Sequence, residues 1–191
     1  MAGQPGRKRS EAARDAILGA ALELLRERGY GQVTVDAIAT RAGVGKQTIY
    51  RWWRTKPDVV LEALTAHAHR TITLPDTGDL ERDLTVFLRA TFRTLSGSES
   101  LAPILRGLMA EAQLDPEFLA RFRVFIEARR ALVRARLQSA RELALDAASV
   151  DVAVDMIFGA MWYRMLLEHA PTDAATARRV AQLVAGMAGG E

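Results

Sequence analysis

The sequence predicts an all-α protein: an N-terminal three-helix helix-turn-helix domain followed by a larger helical domain, about nine helices in all. Three observations predict this. Apolar residues recur at spacings of three and four through most of the chain. Strand signals are missing, with no sustained β-branched alternation and no Asn-Gly or Asp-Gly hairpin turn. The segment Thr34 to Lys56, TVDAIATRAGVGKQTIYRWWRTK, has the spacing of two short helices crossing at a tight turn.

The elements follow in order. Met1 to Ser10 is basic and reads as a disordered arm, in which Arg7, Lys8 and Arg9 either meet phosphate and minor groove or simply solubilise the chain. A first helix runs from about Glu11 to Arg28, with Ser10 as N-cap, Gly29 as stop, and Ile17, Ala20, Ala21, Leu24 and Leu25 on its apolar face. Thr34 caps the second. Ala39 is small enough to let the next helix cross, and Gly43 supplies a positive φ at the turn without a Cβ penalty. Val44, Ile49 and Ile38 close the junction.

The third helix spans about Gly45 to Trp53 and turns Lys46, Gln47, Thr48, Tyr50 and Arg51 outward. Lysine and arginine suit phosphate or guanine, glutamine suits adenine, and hydroxyls suit phosphate oxygens. One of Trp52 and Trp53 closes the three-helix junction; the other is free for sugar-phosphate or a neighbouring helix. Thr55-Lys56-Pro57-Asp58 then opens a fourth helix, Pro57 to about Thr71, as a capping box.

Four features set the later boundaries. Leu74 to Gly78 is a polar break, and Leu80 to Leu95 a fifth helix ended by Ser96-Gly97-Ser98. A sixth runs from about Leu101 to Gln113. Asp115 caps a long seventh, with Pro116 in its first turn, reaching about Ala140. Val150 to His169 and Thr172 to Met187 form a last pair joined at Ala170-Pro171.

The chain from Ala13 to about Leu64 resembles the DNA-binding domain of TetR-family transcriptional regulators. The ALELLRERGY run carries this, with Thr34, Ile38-Ala39, Ala42-Gly43-Val44, Thr48-Ile49-Tyr50 and Lys56. Gly45 stands where that family often has serine, and Arg51-Trp52-Trp53-Arg54 resembles a subgroup with an Arg-Trp pair. The resemblance implies a DNA site at Thr34, Gly45, Lys46, Gln47, Thr48, Tyr50, Arg51, Trp52 and Lys56, and a regulator with domains 11–56 and 57–191. It also implies a homodimer through the last two helices. The apolar positions there are Val152, Met156, Gly159, Ala160, Tyr163 and Leu167, then Val180, Leu183, Val184 and Met187, which the residues alone leave open between a dimer face and a monomer core.

A ligand domain follows from the same resemblance. Phe87, Phe92, Met109, Phe122, Phe125, Phe158 and Trp162 are its candidate lining, since aromatic and methionine side chains fit apolar or amphipathic ligands as well as ordinary cores. The fourth helix, with Leu61, Leu64 and His67, would carry the effect to the reading head. Arg129, Arg130, Arg134 and Arg136 read as a solvated face.

Composition agrees. The chain has 191 residues, 49% of them apolar, enough for a sizeable core. Charges interrupt every apolar run, so no membrane span is expected, and the N-terminus lacks the apolar core of a secretion signal. Cysteine is absent, which suits a reducing cytoplasm and excludes thiol chemistry. Residues 1–56 hold 11 Lys/Arg against 5 Asp/Glu while the rest hold 15 against 18, a basic head on an acidic body.

No cofactor or metal is called for. His67 and His69 point to different helix faces, and no metalloprotease, nucleophile-elbow or phosphate-loop pattern is present. Asp151 and Asp155 share a helix face, where the helix N-terminus would hold them. The contrasting reading is a partner-binding helical protein that has lost specific DNA binding; the lack of any acid between Gly43 and Lys56 speaks for the DNA reading.

Overall fold

A computed structural model describes residues 5–97, 100–140, 143 and 145–189, with side chains from Glu11 to Met187. Among the described residues there are nine α-helices and no strand: α1 Pro5–Arg28, α2 Val35–Ala42, α3 Lys46–Tyr50, α4 Lys56–Thr71, α5 Leu80–Thr94, α6 Ala102–Leu114, α7 Pro116–Ser139, α8 Ala147–Leu167 and α9 Ala174–Ala185. They form two compact units. The first holds the chain up to Ala68 together with Pro103–Phe122; the second holds His69–Ala102 and the chain from Arg123 onward. The units therefore do not follow chain order, and α4 with the sixth helix falls beside the helix-turn-helix rather than beyond it.

In the first unit, α1 buries Ile17, Leu18, Ala21, Leu24 and Leu25 and packs on α2. Full burial of each Ile or Leu side chain is worth about 1.5–3 kcal/mol. Gly29, at φ 75, stops α1, as its position predicts. The helix starts earlier than expected: Pro5 to Ser10 are helical, so Ser10 lies inside α1 rather than capping it. Proline at a first helical turn has no hydrogen bond to lose. Of the expected arm, residues 1–4 and the side chains of Arg7, Lys8 and Arg9 lie outside the described residues.

Aspartate caps set most later helix starts. Asp79, Asp146 and Asp173 accept from the backbone N–H three residues on, at 2.9, 2.7 and 2.8 Å. Asp115 accepts from Glu117 and Phe118. These bonds hold the Asp146 and Asp173 carboxyls below their ordinary pKa. The eighth helix ends two residues short of His169 because Glu168 turns into the left-handed region, at φ 51, and bonds back to the Arg164 carbonyl.

In the second unit, α5 buries Leu80, Leu84, Phe87, Leu88 and Phe92 and packs on α9, whose Ala177 and Ala181 allow close approach. The Phe87 and Phe158 rings meet edge to face at 6.4 Å. The arginines of α7 are not a solvated face. Arg129 and Arg136 are only 8% and 5% exposed. Arg136 lies 2.8 Å from Asp83, which is fully buried and also accepts from the Thr77 N–H and hydroxyl. Burial pushes the Asp83 carboxyl up, but the Thr77 and Arg136 contacts outweigh it and leave its pKa lowered. Arg130 and Arg134 reach Asp155 and Asp151 at 2.5 and 2.7 Å, so those acids are held by α7 rather than by the start of α8.

Candidate nucleic-acid interface

The turn between α2 and α3 is built by backbone geometry. Thr34 caps α2, its hydroxyl oxygen accepting from the Ala37 N–H at 3.1 Å. Gly43 sits at φ 66, ψ 32, and the N–H groups of Gly43 and Val44 return to the carbonyls of Thr40 and Ala39 at 3.2 and 3.0 Å. That pair of bonds satisfies carbonyls the helix end would otherwise leave open, and it needs a left-handed residue between them. Ile38, Ala39 and Ile49 are buried at the crossing, as the spacing predicts.

The recognition segment is shorter than expected. Regular helix covers Lys46–Tyr50, and Trp52 and Trp53 continue as a turn whose N–H groups both return to the Ile49 carbonyl. Gly45 opens it with no side-chain cap, consistent with glycine in place of serine. Gln47, Tyr50, Arg51 and Trp52 are exposed and Thr48 half-buried, while Ile49 points inward. Trp53 is 4% exposed and donates its indole N–H to Glu62, whereas Trp52 is 43% exposed. The two tryptophans thus divide the roles that the sequence left unassigned.

Two predicted contacts are already engaged within the chain. The Lys46 ammonium sits 2.8 Å from Asp36, and that contact raises its pKa. Lys56 is half-buried, donates to the Tyr30 carbonyl at 3.2 Å and lies 4.2 Å from the centre of the Tyr30 ring. It is a tertiary tie and stands apart from the exposed set. The capping box at Thr55 and Asp58 forms as read, the Asp58 carboxylate accepting from the Thr55 N–H at 3.0 Å.

The sequence does not reveal how the head is braced. The Tyr30 ring covers Gly107 of α6, where an added Cβ would fall 2.5 Å from the ring, and the Tyr30 hydroxyl donates to Glu111 at 3.2 Å. Burial, then Glu111, raises the Tyr30 pKa. Arg121 donates to Asp58 at 2.6 Å, and Arg54 to Glu117 at 2.8 Å. The Gly29-Tyr30 pair was the available signal; its partners lie about 80 residues on and share no local pattern. Arg41 spans to Glu27 on α1 at 2.8 Å and lowers that carboxyl's pKa.

The other candidate residues are placed as follows. Phe87, Phe92 and Phe158 are buried in the second unit, with Phe125 and Trp162 half-buried there. Met109 and Phe122 belong to the first unit. On the last two helices, Val152, Met156, Gly159, Tyr163, Leu167 and Leu183 are exposed, and Ala160 and Val180 half-buried, as is Met187 in the short turn after α9. Val184 is the exception: it is buried in its own chain and has no surface to offer a partner. No helix among the described residues is long and apolar enough to cross a membrane.

Comparison with known proteins agrees with this architecture. Residues 17–63 match the profile of the bacterial regulatory proteins, tetR family, and residues 74–184 that of the tetracyclin repressor-like C-terminal domain. The HTH-type transcriptional regulator YdeS of Bacillus subtilis (strain 168) is 33% identical over 170 residues, 87% of this chain and 85% of that one. The crystal structure of the TetR family transcription regulator SCO0332 superposes with a TM-score of 0.78 at 33% identity, covering 92% of this chain and 98% of that one. At 22% identity, the regulator FadR from Bacillus subtilis, solved in complex with stearoyl-CoA, shares the fold with a TM-score of 0.64, over 89% of this chain and 96% of its own. The chain belongs to the TetR family and is a DNA-binding transcriptional regulator.

Proposed function

We propose that this regulator is a ligand-responsive cytoplasmic repressor that binds a near-palindromic operator as a homodimer. The observation that carries the reading is the exposed set Gln47, Tyr50, Arg51 and Trp52 on a helix-turn-helix whose buried side is complete. In this reading α3 enters the major groove. Gln47 and Arg51 meet base edges, while the Thr34, Thr48 and Tyr50 hydroxyls and the Lys46 ammonium meet phosphate. Lys56 supports the site by holding Tyr30 and contributes to phosphate binding through its remaining N–H donors.

The dimer face in this reading is the outer stripe of α8. Val152, Met156, Gly159, Tyr163 and Leu167 repeat at helical spacing and are exposed. A Cβ at Gly159 would meet nothing of its own chain. A continuous apolar stripe of that kind marks an interaction surface, and Leu183 of α9 extends it. A two-fold dimer places two recognition helices about 34–36 Å apart, which is what a palindrome one turn long requires. The effector is a small apolar or amphipathic molecule taken among the aromatic residues of the second unit, and it acts by favouring one of two states of the dimer.

Replacing Gln47 tests the base-reading role. Gln47→Ala should cost about 1–3 kcal/mol on the preferred operator and relax its sequence preference at one position of each half-site. Titration of operator and random duplexes at two salt concentrations measures this. Equal weakening on all duplexes would move Gln47 to the phosphate backbone.

A further inference from the structure

The long helix α7 carries a buried charge for which the described residues supply no counter-charge. Its inward stripe runs through Phe125, Arg129, Val133 and Arg136, so two arginines occupy positions that helical spacing assigns to the core. Their surroundings differ. Arg136 is met by Asp83, itself braced by Thr77. Both terminal nitrogens of Arg129 are shut off from solvent and have no hydrogen-bond partner among the described residues. Acids beside this part of α7 are committed elsewhere: Glu127, Asp151 and Asp155 pair with Arg130 and Arg134, and Asp76 and Asp83 with Arg136.

A guanidinium does not escape this cost by losing its proton. Burial lowers the Arg129 pKa, and no described charge opposes that shift. Replacing such a group by an apolar one of similar volume is ordinarily neutral or stabilising. Arg129 therefore presents, inside an apolar stripe, two buried donors that no described residue meets. Two terminal nitrogens on one planar edge match the two oxygens of a carboxylate. Phe125 and Val133, one turn to either side, suit an apolar body rather than a hydrated polyanion.

We propose that Arg129 is the receptor for the carboxylate of a hydrophobic organic acid, which is the effector class of this regulator. The inference rests on the ligand-responsive reading above and gives that ligand a charge and an anchor.

The test uses the full-length protein, with thermal melting and calorimetric titration. The probes are acetate, octanoate and phenylacetate, the neutral amides octanamide and phenylacetamide, and inorganic phosphate. Octanoate or phenylacetate should raise the melting temperature saturably, with the matching amide binding at least about tenfold more weakly. Arg129→Met should melt higher than the parent without acid and lose the acid response; Arg129→Lys should keep a weakened response.

No response to any of the three acids overturns the proposal, as does equal binding of acid and amide, or an equal acid response in Arg129→Met. A response to phosphate alone overturns the carboxylate class. Should Arg129→Met fail to fold, the acid-amide comparison in the parent still decides. Operator binding by the same preparations separates the two readings. Acid binding without sequence-specific DNA binding leaves the anion site standing and removes the regulator; specific DNA binding without acid binding does the reverse.

Discussion

Trp52 and Trp53 are adjacent, yet one is nearly half exposed and the other buried against Glu62. Trp53→Ala should destabilise the protein by about 3–5 kcal/mol, the usual cost of emptying a buried aromatic site. Trp52→Ala should leave urea unfolding nearly unchanged while weakening DNA binding. Asp83 makes the same point with charge. Asp83→Ala leaves buried Arg136 only its 3.4 Å ionic contact with exposed Asp76 and should cost about 3–5 kcal/mol. The folded-state pKa of Asp83 is lowered, so its contribution is full above the unfolded value of about 3.9 and is lost as pH falls through the folded one. Unfolding followed from pH 6 to pH 2 should show the parent losing part of its advantage over the variant in acid. Residue types announced neither fate. Two tryptophans in a row are equivalent to a periodicity argument, and the buried arginines were misread because long charged side chains are exposed as a rule.

The helix elements were mostly legible, because Thr34 and Asp115 are chemical start signals and Gly29 and Gly43 are stops, whereas the caps at Asp79, Asp146 and Asp173 emerge only in the structure. The misses have local causes. The first helix begins before Ser10, at Pro5, where a proline's missing N–H costs the first turn nothing, and Glu168 ends α8 in a conformation that non-glycine residues take rarely. At Gly43 the constraint is the dihedral alone, since a Cβ there meets no atom within 4 Å. Gly43→Val should therefore cost about 1–3 kcal/mol through backbone strain and weaken DNA binding with it, whereas Gly43→Asn should be milder. Melting temperatures of both variants separate strain from crowding; equal losses would point to crowding instead.

On the scale of the whole molecule, helical class and family were readable from one motif and the absence of strand signals. The grouping of Pro103–Phe122 with the first unit has no local sequence signal, because it rests on Tyr30, Asp58 and Arg54, contacts of long sequence separation. The α8 stripe, proposed above as the dimer face, is hard to distinguish from a core by sequence: both are apolar at the same period, and only exposure separates Met156 from buried Val184. Met156→Glu should shift the protein from dimer to monomer in sedimentation at micromolar concentration and weaken operator binding, with far-ultraviolet circular dichroism unchanged. A dimer that persists would place the interface elsewhere.

The most direct test of the DNA-reading account is selection of binding sites from a random duplex library by the full-length protein, followed by titration of the selected site against random DNA. The account predicts enrichment of a near-palindrome with half-sites about one helical turn apart, bound with strong salt dependence and with the preference relaxed in Gln47→Ala. Recovery of no common sequence, with equal affinity for selected and random duplexes, would contradict it.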